Sequence, residues 1–445
     1  MTYPTPIWAV APFAFYLLLI ATLPLFLGAF WEHNRNKLIV AAVVSAPVLI
    51  YLVGVRAGGG QMLLRTGFDY VAFIALLGAL FTISGGIYLR GSLVGTTLVN
   101  TAFLGVGAIL GSLIGTTGAS VLLIRPLLRA NQQRAYTTHM VVFFIFIVSN
   151  GAGLLTPLGD PPLFLGFLRG VPFTWTLRLA APWALVNGVL LVLFAILDRI
   201  IATRERRRPR KAGVVSLHPS APQEPFRLDG AINLFWLLGI VVVVFVMGRY
   251  GTRLFGDSYL RSLVQILGLL GCGALSLVST RREVHEANRF NWGPIVEVAV
   301  VFIGVFVTMI PALSFLGERG ASLGITKPWQ FFWASGALSS VLDNAPTYLT
   351  FASLAVGVTN SGGGMLSLDN LGGLAAHPSG QHLLAAVSCG AVFMGAITYI
   401  GNGPNFMVKA IAEQHHVRMP SFFGYTLWSF AILVPLFGVV SHIFF

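Results

Sequence analysis

Long apolar runs separated by short polar or basic connections recur along the whole chain. Runs near 7–30, 37–55, 69–89, 139–168, 175–201, 231–250, 259–280, 293–312, 384–414 and 424–445 have the length of spanning helices, a bilayer core needing about 20 apolar residues per crossing. Two further stretches, 94–131 and 328–357, are apolar but interrupted by small and polar residues, and each has the length of two short arms rather than one helix. The pattern predicts an all-α polytopic membrane protein. Residues 202–230, rich in Arg, Pro, Ser and Gln, read as a cytoplasmic linker between a first half, 1–201, and a second half, 231–445.

The two halves share motifs in the same order. "GALFTI" (78–83) and "GVFVTM" (304–309) carry a common Gly-x-x-x-Thr frame, and "GTTGAS" (115–120) falls beside "VLDNAP" (341–346) at nearly the same offset. "TPLGDPPLF" (156–164) aligns with "TYIGNGPNF" (398–406), matching Thr156/Thr398, Gly159/Gly401, Pro162/Pro404 and Phe164/Phe406. The longer offset of this last pair reflects an extra Gly/Ser/Asn-rich stretch at 357–380, expected to be an exposed loop. Internal repetition on this scale, combined with opposite topology, defines the inverted repeat of many secondary transporters, whose sites lie where broken helices meet near the midplane. The expected unit is about five spanning helices plus one re-entrant hairpin per half.

Composition agrees: 56% of the 445 residues are hydrophobic and 10% charged, with a mean hydropathy of +0.81, against roughly 25% charged in soluble domains. The net charge of +13 does not indicate nucleic acid, because much of it sits in "DRIIATRERRRPRK" (198–211), directly after an apolar run. The positive-inside rule reads this cluster, with loops 31–37 and 281–289, as cytoplasmic. Both termini then fall outside, the 94–131 hairpin enters from the cytoplasm, and the 328–357 hairpin enters from the other side. Arg249, Arg253 and Arg261 fall outside against the rule. The apolar run at the N-terminus reads as a spanning helix rather than a cleaved signal. Cys272 and Cys389 lie in apolar segments and suggest neither a disulfide nor a metal cluster.

Unwound backbone survives in hydrocarbon only where it lines a protein-enclosed cavity. Pro157, Pro161 and Pro162 remove donors, and Gly159 lets the chain leave helical geometry, so 139–168 should be two half-helices with an unwound centre. Ser149 and Asn150 join that region, and 384–414 should break likewise at Gly401, Asn402, Gly403 and Pro404. Asp160 is the sharpest residue: a carboxylate at a helix centre costs about 2.5–3.5 kcal/mol on insertion scales. It therefore either binds a cation, carries a proton, or caps the half-helix that "DPP" begins. Asp343 sits in "DNAP", strong turn chemistry that suits a hairpin tip. The matching tip offers Thr116, Thr117 and Ser120. Oxygen ligands of these kinds suit hard cations such as sodium. Glu297 is a further candidate ligand, Asp69 reads as a helix N-cap at the membrane edge, and Arg125 could pair with a carboxylate or an anion. Lys409 reads as snorkelling or structurally paired, and His415 and His416 lack companions for a metal.

"SNGAGLLTPLGDPPLFLGFL", "SSVLDNAPTYLTF" and "TYIGNGPNFMVKAIAE" together resemble the ion transporter superfamily, most of all its NhaD-type sodium/proton antiporter branch, related to arsenite efflux and citrate carriers. The resemblance implies homodimers, a scaffold and a transport domain in each protomer, and elevator-type alternating access. It places hairpin tips at Thr116–Ser120 and Asp343–Thr347, and helix breaks at Ser149–Asp160 and Thr398–Asn405. Dicarboxylate carriers of the superfamily carry paired Ser-Asn-Thr tips, whereas these tips read Thr-Thr-Gly and Asp-Asn-Ala-Pro. An aspartate there would repel a dianion.

The leading expectation is exchange of sodium or lithium for protons in a bacterial-type inner membrane. Asp160 and Asp343 alternate between sodium and protons, and Asn150, Thr156, Asn344, Thr347, Thr398, Asn402 and Asn405 complete the site. No cofactor is expected beyond the transported sodium and protons, and the partners are the lipid bilayer and a second copy of the chain. A sodium- or proton-coupled citrate or dicarboxylate carrier is the alternative. An intramembrane aspartyl protease is disfavoured, because Pro157 stands where Gly-x-Gly-Asp needs glycine. A passive channel is disfavoured by paired hairpins of opposite entry.

Overall fold

The polar interruptions of the sequence become hairpin turns and helix breaks, and the apolar runs become helices. The structure, a computed structural model, describes residues 5–91, 94–207, 227–256, 259–363, 365–368 and 370–445. Among these, ten helices are long and apolar enough to cross a membrane.

The first half contains α1 (Ala11–Phe26), α2 (Asn34–Gly54), α3 (Gly59–Gly85), α4 (Thr97–Ile114), α5 (Thr116–Ala130), α6 (Thr138–Ile147), α7 (Pro161–Leu168) and α8 (Ala180–Arg207). The second contains α9 (Ile232–Phe255), α10 (Tyr259–Ser279), α11 (Gly293–Arg319), α12 (Pro328–Ser339), α13 (Asn344–Ser361), α14 (Gly380–Met394), α15 (Gly403–Gln414) and α16 (Phe422–Phe444). Each half thus runs through a long helix (α3 or α11), a helical hairpin (α4–α5 or α12–α13), a broken helix (α6–α7 or α14–α15) and a closing helix (α8 or α16). The matching Gly-x-x-x-Thr frames also behave alike. Thr82 Oγ1 donates to the Gly78 carbonyl and Thr308 Oγ1 to the Gly304 carbonyl, both at 2.7 Å.

The two breaks have nearly the same backbone. Asp160 (φ −145°, ψ 143°) precedes α7 and Asn402 (φ −152°, ψ 138°) precedes α15, each followed by proline in the first turn. Pro fits there because the first helical N–H groups have no intrahelical acceptor. Upstream of each, one short 3₁₀ turn, Gly151–Leu154 or Gly395–Ile397, carries the chain into the break. The breaks fold back so tightly that glycine is required. A Cβ on Gly159 would lie 2.3 Å from the Gly153 carbonyl oxygen, and one on Gly401 would lie 2.6 Å from that of Gly395.

The hairpin turns differ in chemistry. The first turns on Gly115, whose φ of +80° suits a residue without Cβ, and Thr96 caps the incoming arm through Val99 N. The second turns through Val341 and Leu342 to Asp343, whose carboxylate accepts from Ala345 N at 3.0 Å.

Several boundaries differ from expectation. The incoming arm α4 has 18 residues, long enough to be a span by length and composition, so it is not a short arm. α3 begins at Gly59, ten residues before the expected start, because the helix continues through the polar residues Gln61 and Arg65. Asp69 therefore lies inside α3 and is no cap; it faces Arg169 at 3.9 Å. α8 runs on to Arg207, and Arg227–Asp229 pairs antiparallel with Tyr88–Arg90 as a two-stranded ladder (β2 with β1). Of the expected linker, residues 208–226 lie outside the described residues. The 357–380 stretch is not simply an exposed loop: α13 extends to Ser361, and a short helix at Leu371–Ala376 buries Leu371 and Leu374. Residues 364 and 369 lie outside the described set.

Candidate functional site

Each hairpin delivers the first residue of its outgoing helix to one carboxylate. Thr116, at the start of α5, donates through Oγ1 to Asp160 Oδ1 at 3.1 Å. Asn344, at the start of α13, donates through Nδ2 to Asp160 Oδ2. Asp160 itself is 1% exposed. Thr116 and Asn344 are thus equivalent residues, and the repeat register at the tips is 228, two residues beyond the 226 that the motif alignment suggests. The capping alternative for Asp160 does not hold. It occupies the N-cap position by backbone, but its side chain makes no capping bond and turns to the two tips instead. The side chain that does cap is that of Asp343.

Four helices, α5, α7, α13 and α15, begin around this carboxylate. Asn402, ahead of α15, donates to the Ser149 carbonyl and to Asn150 Oδ1 in the Asp160 break, and Asp343 directly precedes the Asn344 that bonds to Asp160. Helix N-termini carry about half a positive charge each, so these starts stabilise negative charge between them. Among the described residues, no Lys, Arg or His bonds to Asp160 or Asp343. Asn344 Oδ1 is buried beside the carboxylate without a hydrogen-bond partner. The Asp160 carboxyl, the Asn344 carbonyl oxygen and the Thr116 hydroxyl form a set of hard oxygen donors of the kind that suits a proton or a hard cation.

The remaining expected residues tie this centre together. Asn150 Nδ2 donates to Asn405 Oδ1 at 2.7 Å, and Asn402 Nδ2 donates to Asn150 Oδ1 at 3.1 Å. Asn405 Nδ2 in turn holds the Gly395 and Thr398 carbonyls. These asparagines clasp one break to the other. Ser120 Oγ and Ser149 Oγ share a hydrogen bond of 2.9 Å, joining the first hairpin to its break. Thr156 Oγ1 donates to the Ser112 carbonyl and Thr398 Oγ1 to the Ser340 carbonyl, both at 2.5 Å, again 228 residues apart on the hairpin side. Thr347 Oγ1 donates back to the Asp343 carbonyl within α13. Gly159 accepts from Thr116 N at 2.9 Å through its carbonyl, and Gly401 packs against the Ser339 and Ser340 carbonyls. Thr117 is half-buried beside Thr116 and joins none of these bonds.

Sequence reasoning missed the serines that complete the ties. Ser112 Oγ donates to the Ala152 carbonyl and Ser339 Oγ to the Ala391 carbonyl. Their place just before each hairpin turn was the available signal. The weaker candidates lie elsewhere. Glu297 is half-exposed and paired with Lys37 at 2.5 Å. Lys409 pairs with Glu413, as a structural role implies. Arg125 donates to the Asn288 carbonyl, and His415 Nδ1 is bonded to the Ile411 carbonyl.

Ten helices of spanning length among the described residues, around an enclosed polar centre, make a polytopic membrane protein. Residues 2–445 match the protein family described as "Putative citrate transport", and the chain belongs to that family, which shows it to be a transporter and not an enzyme. It is also similar to an uncharacterized transporter of Synechocystis, at 24% identity over 315 residues. That match spans 66% of each chain, just under two thirds. These likenesses support a transporter family broadly and do not single out the NhaD-type branch.

Proposed function

We propose that the chain is a secondary active carrier of citrate-type carboxylates, driven by sodium or protons that bind at Asp160. The observation that carries this reading is a buried carboxylate contacted by both hairpin tips, with no basic side chain among the described residues bonded to it. A lone buried carboxylate is costly unless something neutralises it, so a proton or a sodium ion belongs to its working cycle. The orphan Asn344 Oδ1 is available as a further ligand. The surrounding helix starts favour an anion, and the family description supports citrate as that anion. Cargo and coupling ion then neutralise each other at one centre. Alternating access follows if the two halves lie in opposite orientations in the bilayer and one set of hairpins and breaks moves against the rest.

The second reading is exchange of sodium or lithium for protons, favoured by Asp343 standing directly before the Asn344 that bonds to Asp160, since paired carboxylates suit cations and oppose a trianion. Purified protein in liposomes containing a pH dye decides between them. Labelled citrate uptake that requires a sodium or proton gradient supports the carrier. Sodium-driven proton movement without citrate uptake overturns it in favour of exchange. Neither signal in a folded protein overturns both.

A further inference from the structure

Burial normally obliges arginine to find a carboxylate, and several arginines here obey. Arg56 faces Glu318 at 3.2 Å, Arg134 faces Asp198 at 2.6 Å, and Arg169 faces Asp69 at 3.9 Å. Two half-buried arginines on α5 do not. Arg125 Nη1 is held by the Asn288 carbonyl at 3.0 Å. Arg129, one turn further on, lies 5.0 Å over the Tyr88 ring and donates Nη2 to the Leu89 carbonyl at 2.8 Å. Its Nε is buried without a hydrogen-bond partner. The carbonyl that holds Arg125 belongs to Asn288, the residue directly before Arg289, so a third arginine joins these two.

The third member of the cluster is also fixed. Arg289 is exposed and holds a left-handed backbone, φ +49°, in a turn anchored by Asn288, whose Nδ2 binds the Gly85 and Ile87 carbonyls at 2.8 Å. Such a backbone is costly for a residue with a side chain. Two acids in the neighbourhood, among the described residues, are already engaged by other arginines. Asp229, opposite Tyr88 in the ladder, is shared by Arg90 at 2.8 Å and Arg227 at 3.3 Å, and Glu286 pairs with Arg282. Like charges held together at partial burial repel unless a counter-ion sits between them. Arginine forks fit planar oxyanions in bidentate fashion.

We propose that Arg125, Arg129 and Arg289 form an anion site for a molecule bearing several carboxylate or phosphate groups. Arg125 follows Thr116 on the same helix by about 14 Å at 1.5 Å per residue, which places the cluster one helix-arm away from Asp160. A carboxylate cargo would dock there before or after its passage past Asp160. Naming the anion as cargo rests on the citrate reading; the site itself does not.

The test uses the full chain in phosphatidylcholine nanodiscs, with citrate and inorganic pyrophosphate titrated calorimetrically at low salt. The double variant Arg125→Gln/Arg129→Gln is expected to bind both at least tenfold more weakly, and Arg289→Gln, an exposed change that spares the fold, severalfold more weakly. Arg35→Gln, an exposed charge control outside the cluster, should stay within twofold of wild type. Unchanged binding in both cluster variants overturns the site, as does the absence of binding by the wild type. Repeating the titrations with phosphatidylglycerol separates the sources: if that lipid displaces both probes, and does so only when the arginines are present, the occupant is a headgroup and the cargo role is overturned. Pyrophosphate binding that depends on the arginines, without citrate uptake into liposomes, keeps the site and discards the citrate reading. Citrate uptake with arginine-independent binding does the reverse.

Discussion

Asp160→Asn removes one charge from the centre and keeps its shape, so its effects on folding and on coupling can be separated. In the wild type the carboxylate accepts from Thr116 Oγ1 and Asn344 Nδ2. An amide oxygen can still accept from Asn344, and the Thr116 hydroxyl can rotate to accept from the amide nitrogen. Two charge-assisted bonds, about 1.5–3 kcal/mol each, become neutral bonds of about 1 kcal/mol, a loss of about 1–4 kcal/mol. Against this, the variant no longer holds an ionised group at membrane depth, a cost of about 2.5–3.5 kcal/mol. The two nearly cancel, so stability should change by less than about 2.5 kcal/mol. Coupling has no such compensation. A cation about 4 Å from a carboxylate gains about 4 kcal/mol at an effective dielectric of 20, which is about a thousandfold in affinity. Sodium and proton dependence should therefore vanish from a protein that still melts cooperatively near the wild-type temperature. The assay pairs thermal unfolding in detergent with gradient-driven uptake in liposomes. A variant retaining the wild-type dependence on sodium and pH would refute the coupling role, and one that cannot be purified folded would refute the cancellation.

Three further predictions concern the frame. Asp198, fully buried, accepts from Thr97 Oγ1 at 2.6 Å, Arg134 Nη1 at 2.6 Å and His139 Nε2 at 2.8 Å; Asp198→Leu should cost about 3–5 kcal/mol, seen as a lower melting temperature. Gly159→Ala and Gly401→Ala force a Cβ onto backbone oxygen and should each cost about 1–3 kcal/mol or more, whereas Gly403→Ala meets nothing within 4 Å and should stay within about 0.5 kcal/mol; size-exclusion profiles after heating rank the three. Thr156→Val and Thr398→Val each strip one buried carbonyl of its donor and should destabilise by about 1–3 kcal/mol, with similar melting shifts for the two if the halves are equivalent.

Much of this frame is legible in the sequence because its causes are local. Proline and glycine at 157–162 and 401–404 can only interrupt a helix, and the recurrence of the pattern marks both breaks. What escaped depends on pairing across the chain. Nothing near Asp160 says that its oxygens turn to Thr116 and Asn344 instead of to its own helix. Nothing near Asn150 says that it clasps Asn402 and Asn405. The serines at 112, 339 and 340 look like small packing residues until their carbonyls and hydroxyls are seen to hold the breaks. The tip register is already 228 at Ser112 and Ser340, ahead of the turns, so the two-residue slip arises between the Gly-x-x-x-Thr frames and the hairpins, where no motif marks it. Arg125 and Arg129 are visibly one turn apart, but their third companion, Arg289, lies in another half of the chain.

The dependence of Asp160 on Asn344 also sets an order of events in biogenesis. The two residues are 184 positions apart, and at about 5–20 residues per second the ribosome needs roughly 10–40 s to travel that distance. Through that interval the first half must reside at the membrane with its carboxylate and the amide of Asn150 lacking their eventual partners. Water, lipid headgroups or the insertion machinery must shelter these groups until the second half arrives, so nascent-chain intermediates stalled between the halves are where misassembly and proteolytic clearance should concentrate.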